Sequence, residues 1–209
     1  LLWLGGCGGG SSGAGSEAVA EPDVQTDLAR YLLAASDRYQ YFDLYLGDAA
    51  DSQRVVEFET SRWQAQSDGT GYSSNAGVNS VIQVEHDAIR ELLAGGEQRQ
   101  WPRYLPLSAA EVMRTSSFSA STRFYLQGPF ENTVVSWYGT PLRADQNVIR
   151  LLDWQGSTLT VSLYAAGSGL VASLSYDNCA RPTPVPAAFD AGLLCGHPGE
   201  ILILVREQE

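Results

Sequence analysis

The apolar residues of this chain follow two different periods. In two stretches they fall at helical spacing, and from Ser117 onward they alternate with period two. Leu28, Leu32 and Ala35 share one face of a helix predicted over Asp23 to Ala35, with Asp23 as its cap. Val81, Val84, Ala88 and Leu92 also repeat at helical spacing. They predict a second helix over Val81 to Ala94, stopped by Gly95-Gly96. Ser108-Ala109-Ala110-Glu111 has the spacing of a capping box and predicts a short helix there.

The remaining segments read as strands. Tyr39 to Leu46 and Arg54 to Ala65 pair as a hairpin across Gly47-Asp48-Ala49-Ala50-Asp51, and Ser67 to Ser80 is a long polar loop. A meander follows: Ser117–Gln127, Thr133–Tyr138, Val148–Trp154, Thr158–Ala165 and Leu170–Tyr176. Its breaks are Gly128-Pro129, Gly139-Thr140-Pro141, Gln155-Gly156 and Gly167-Ser168-Gly169. Glu200 to Arg206 carries the unbroken run Ile201-Leu202-Ile203-Leu204-Val205, which predicts a central strand buried on both faces. The predicted class is α+β, an antiparallel sheet of about eight strands with two main helices packed on it.

Composition narrows the partners. Of the 209 residues 44% are hydrophobic, which suits one globular domain over residues 22–209. The net charge is −11, and all 13 basic residues are Arg. An acidic surface repels phosphate backbones, so no nucleic-acid partner is expected. The longest uncharged stretch, Ser157 to Tyr176, is rich in Ser, Thr and Gly and alternates, so it reads as a hairpin rather than a membrane span.

Leu4-Gly5-Gly6-Cys7 follows the apolar run Leu1-Leu2-Trp3-Leu4, and a Gly/Ser tether from Gly8 to about Glu21 follows it. This stretch resembles the lipobox of bacterial lipoproteins. The resemblance implies that Leu1 to Gly6 are the remnant of a signal peptide and that Cys7 is lipidated. Residues 7–21 would then tether the domain to the cell envelope. Gly8 stands where some bacteria place the Asp of inner-membrane retention, so the outer membrane is implied for a Gram-negative host. The expected partners are the membrane, through the lipid, and an envelope protein or glycan.

Cys179 and Cys195 bracket a Pro-rich segment. In an oxidising compartment a disulfide is expected; two free thiols or half of a metal site are the alternatives. Other chemistry is sparse. Glu85-His86-Asp87 would splay around a helix, and His197 sits in the Gly196-His197-Pro198-Gly199 turn; either His could serve an anchored hydrolase. Gly167-Ser168-Gly169 lacks the spacing of a nucleophile elbow, and Asp48, Asp51 and Asp68 lack that of an EF-hand.

No cofactor or metal is implied. Tyr39, Tyr41 and Tyr45 share one strand face with Asp43, which suits either core packing or a binding face. Trp63, Trp101, Trp137 and Trp154 are dispersed and are expected mostly in the core. The functional expectation is an exported, non-catalytic binding or structural protein. Its closest rival is a carrier cradling an apolar ligand in a curved sheet.

Overall fold

The computed structural model describes residues 25–35, 38–47, 53–56, 61–65, 70–75, 78–106, 110–186 and 189–208. It is mostly strand. In chain order the elements are Gln25–Asp27 (β1), Ala29–Leu32 (α1), Arg38–Leu46 (β2), Gln53–Val56 (β3), Ser61–Ala65 (β4), Thr70–Asn75 (β5), Val78–Val84 (β6) and Ala88–Leu93 (β7). Gln98–Pro102 (β8), Tyr104–Pro106 (β9), Ala110–Ser116 (β10), Thr122–Trp137 (β11), Thr140–Gln155 (β12), Thr158–Ala165 (β13), Gly169–Tyr176 (β14), Ala191–Cys195 (α2) and Glu200–Gln208 (β15) complete them.

Strands β1 and β9 form a small pair, and the other thirteen form one antiparallel sheet. Strand β15 also pairs with β2, from Glu200 opposite Leu46 to Gln208 opposite Tyr39. With β4 on the other edge of β2, every strand of that sheet except β3 joins a closed hydrogen-bonded ring. Closure leaves no open edge along those strands.

The α+β expectation is therefore corrected to a mostly β fold with two helices of four and five residues. The predicted helix over Asp23–Ala35 shrinks to α1, with β1 in front of it. The predicted helix over Val81–Ala94 is instead the β6–β7 hairpin, in which Ile82 faces Glu91 and Val84 faces Ile89. Val81, Ile82, Val84 and Ile89 are β-branched, and stiff χ1 rotamers favour a pleated surface over a helix. The expected capping box lies partly outside the described residues, and Ala110–Ser116 is strand. The expected loop Ser67–Ser80 contains β5 and the start of β6.

Two apolar clusters form on opposite faces of the β12–β15 wall. Ile149 and Leu151 meet Leu126 and Val112 and, across the ring, Ile89 and Trp101, so this cluster lies inside. Leu28, the N-cap of α1, and Tyr31 within it plug that interior. Arg103 holds the plug in place: its guanidinium meets Asp27 at 3.0 Å and donates to the Glu85 carbonyl at 2.8 Å. At the β8–β10 seam, where two residue pairs make the ladder, Glu97 accepts hydrogen bonds from Arg99, Ser116 and Ser119. These bonds, Arg99 foremost, hold its carboxyl well below the usual range, at about 2.

The opposite face carries Leu152, Val161, Leu163, Ala172 and Ile201. It is covered by the far half of the β11–β12 hairpin, folded back over the wall. Thr133, Val135 and Trp137 alternate inward along that half, while Val134 is exposed. Arg143, paired to Asp145 at 2.6 Å, reaches across to the Leu204 carbonyl at 2.7 Å.

The fold-back starts at Gly128-Pro129, which the sequence presents as a strand break. The register jumps there between Gln127 and Phe130, so the Pro sits in a bulge where no ladder N–H is needed. Gly128 has φ +105°, and a Cβ on it would lie 2.9 Å from the Val148 carbonyl oxygen. Gly128→Ala should cost about 1–3 kcal/mol. Equilibrium urea unfolding is the check: the midpoint should fall with little change in slope, and an unchanged midpoint would contradict the bend.

Candidate functional site

Between the folded-back hairpin and the outer face of the β12–β15 wall the packing is incomplete. A cavity of about 320 Å³ remains there. Its lining is mixed: Val135 from the hairpin, Leu152, Val161, Leu163 and Leu174 from the wall and Phe189 from the segment before α2 are apolar, whereas Gln127, Ser136, Arg150, Asp190 and His197 are polar. Exposed Gly192, Gly196 and His197 and buried Pro198 complete the lining. The volume is at the lower end of the range for small-molecule sites, which are typically concave, mostly apolar and set with a few polar groups.

Three polar side chains stand out on this lining. Arg150 stands on β12 opposite Leu163 and Gln127. Its guanidinium carbon lies 4.2 Å from the centroid of the Phe130 ring. Among the described residues no oxygen accepts a hydrogen bond from it and no carboxylate is within ion-pair distance. Desolvation pulls its pKa down, opposed by the charge of Asp190 and by Tyr176. Thr133, 7% exposed, turns inward, and its Oγ1 has no hydrogen-bond partner. Tyr176 is buried, and desolvation, with Asp190 adding to it, raises its hydroxyl to about 12; Arg150 works against that rise. It therefore stays a neutral donor across the physiological range.

Asp190 caps α2, its carboxylate accepting from the Leu193 N–H at 3.1 Å. His197 is exposed, and its ring packs on Tyr138 at 4.6 Å between centroids. Ser136, His197 and Asp190 all line the cavity, yet no hydrogen bond joins His197 to either of the others.

Cys179 and Cys195 are bridged, with Cα atoms 5.1 Å apart and a sequence separation of 16. Cys179 is buried; its N–H donates to the Ser157 carbonyl, and its own carbonyl accepts from the Trp154 indole at 3.1 Å. The bridge ties α2 and the Phe189–Gly192 segment to the wall, so it sets one side of the cavity. Replacing both Cys by Ser should lower unfolding free energy by about 3 kcal/mol in the chain-entropy account. Urea titration of the oxidised protein and the double variant measures this, and coincident curves would deny the bridge a stabilising role.

The other sequence candidates scatter. His86 is exposed in the turn between β6 and β7, not on a helix, and Glu85 pairs with Arg90 at 3.1 Å. The Ser168 hydroxyl accepts a long 3.4 Å bond from Arg38, and its carbonyl accepts from Gln40. Tyr39, Tyr41, Asp43 and Tyr45 lie along the face of β2 that the hairpin partly overlies. Asp43 is buried, Tyr45 packs on Trp137 at 5.9 Å, Tyr41 is half-buried and Tyr39 is 38% exposed.

Cys7, Asp48, Asp51 and Asp68 lie outside the described residues, and among those described no cluster of His, Cys, Asp or Glu is placed to hold a metal. Trp101 and Trp137 are buried and Trp154 is half-buried, packed on Tyr125 and Phe189. The sequence reading passed over Arg150 and Thr133. A signal was present, because Arg150 is a lone charge between Val148-Ile149 and Leu151-Leu152.

Comparison with protein-family models, curated proteins and solved structures finds no match for this chain. The site therefore rests on its own geometry.

Proposed function

We propose that this chain is an exported binding protein, anchored to the cell envelope by lipid on Cys7, that holds a small apolar molecule without acting on it chemically. The observation that carries the binding half is the cavity beneath the folded-back hairpin, with its apolar patch of Leu152, Val161, Leu163, Leu174 and Phe189. Its walls belong to two layers already held together by Trp137, Arg143 and the disulfide, so the space exists without ligand. A preformed site loses little conformational entropy on binding. An envelope protein or glycan would meet the chain at the Tyr39 end of β2, where that face is least covered.

The anchor half rests on the lipobox resemblance. Among the described residues no helix is long and apolar enough to cross a membrane. Exposed Arg90, Glu111 and Arg123 stand on β7, β10 and β11. An Arg facing hydrocarbon on a strand costs roughly 2–4 kcal/mol at the bilayer midplane. Lipid on a Cys would attach the domain without burying those strands.

Two measurements test the reading. Titration calorimetry with 1-octanol should show saturable binding at one site, and Leu174→Trp, which fills the cavity from the wall, should weaken it about ten-fold or more. Binding that ignores this substitution would place the ligand elsewhere. Separately, the chain behind a complete signal peptide should partition into detergent, and Cys7→Ser should leave it in the aqueous phase. Equal partitioning of the two forms would remove the anchor.

A further inference from the structure

We propose that this cavity takes an extended peptide, which adds as a strand to the open edge of β11 and sets one aliphatic side chain against Leu163, Leu174 and Phe189. This rests on the reading of the cavity as a binding site, and it makes the apolar body held there a side chain of another polypeptide.

The ladder shows where the edge is open. Inside the ring both edges of β11 are paired, the outer one with β10 from Arg114 opposite Thr122 to Ala110 opposite Leu126. At Gly128 the strand leaves the ring. From Phe130 to Trp137 its one partner among the described strands is β12.

The turn shows which residues face away from that partner. Tyr138 and Gly139, with φ of 45° and 84°, form a two-residue type I′ turn, so Trp137 and Thr140 are a hydrogen-bonded pair. Main-chain groups alternate in direction along an antiparallel strand. Trp137, Val135 and Thr133 therefore turn theirs to β12, and Ser136 and Val134 turn theirs to the open edge. The bulge at Leu142 puts its extra residue on β12, so the alternation along β11 is intact.

The cavity lies along that edge. Thr133 and Val135 are buried against the wall while Val134 and Ser136 are exposed, yet all four line the cavity. No residue from Thr140 to Gln146 lines it. A space bordered by both side-chain parities of one strand, and by none of its partner, faces that strand's edge. Natural sheets guard open edges with charge or Pro. Asn132 to Tyr138 carries neither. Such an edge pairs with an extended chain, whose main chain supplies affinity and whose alternate side chains supply selectivity.

The far side of the cavity decides the occupant. An added strand lies about 4.8 Å from β11, between it and Phe189, Gly192 and Gly196. The disulfide holds that far side in place. In a symmetric edge-to-edge dimer the far sides of both copies would have to fit between the two strands, whereas a single chain brings no such obstacle. At roughly 30 Å³ per water-sized group, 320 Å³ holds about ten heavy atoms, enough for the main chain and side chain of one Leu. Arg150 and Asp190 oppose each other in charge on the lining, so the segment it suits is uncharged.

The probe is the blocked peptide acetyl-Ser-Val-Leu-Val-Ser-amide, titrated by calorimetry into the full chain carrying Cys7→Ser, with 1-octanol alongside. The peptide should bind saturably at one site. Val134→Pro removes an N–H that the hairpin does not use, so the melting temperature should stay within a few degrees. Peptide binding should weaken about ten-fold or more, and 1-octanol should stay within about three-fold. Two N-methylated peptides read the same contact on the unaltered edge, one methylated at both Val and one at Leu. One should bind like the parent and the other about ten-fold or more weakly, because only alternate N–H groups face β11.

Peptide affinity unmoved by Val134→Pro, or equal affinities of the two methylated forms, would overturn the added strand. A fall of about ten degrees in Val134→Pro would assign that N–H to the hairpin and overturn the open edge. A dimer in sedimentation that Val134→Pro dissociates would give the edge to a second copy, and peptide binding seen only after removal of residues 8–21 would give it to the chain's own tether; either overturns the proposal. Binding of 1-octanol without the peptide would overturn the peptide and leave the cavity reading standing, and binding of neither would overturn both.

Discussion

The β12–β15 wall is apolar on both faces, and the rest of the fold follows from the need to cover each. Strands buried on both sides are usual in sheets flanked by helices on either face. The described residues offer almost no helix. The chain covers the inner face by closing the sheet into a ring, so that Ile89, Trp101 and Val112 on the opposite wall meet Ile149 and Leu151. It covers the outer face by making one hairpin long enough to bend back over it. Gly128 and the bulge after it are where these two solutions separate. On one side of the bend β11 belongs to the ring, and on the other it belongs to the cover.

A hairpin makes a poorer lid than a helix or a second full sheet. It has two strands, and only every second residue points inward. Val135 and Trp137 seal the part over β15 and β2, while the part nearer the bend presents Thr133 and meets Arg150. The cavity is the space this narrow cover leaves, closed on its remaining side by Phe189 and the disulfide-tied turn around α2. Interiors otherwise pack as tightly as organic crystals, so the space left under this narrow cover is a departure from how cores are built.

What was legible in the sequence was local. Thr158–Ala165 alternates strictly and forms a strand with those bounds. The break read at Gln155-Gly156 falls one residue early: Gln155 pairs with Thr158, and Gly156-Ser157 is the two-residue hairpin loop. The last strand is central, paired on both sides and buried at Ile201, Ile203 and Leu204. The β6–β7 hairpin was misread because Val81, Val84, Ala88 and Leu92 satisfy a helical template by coincidence; Val81 and Leu92 are in fact exposed. The density of β-branched residues there was the stronger signal. The fold-back was not legible, since it depends on contacts such as Arg143 with Leu204 across 61 residues. The site was hidden with it, because Thr133 and Arg150 acquire a common cavity only once the hairpin bends.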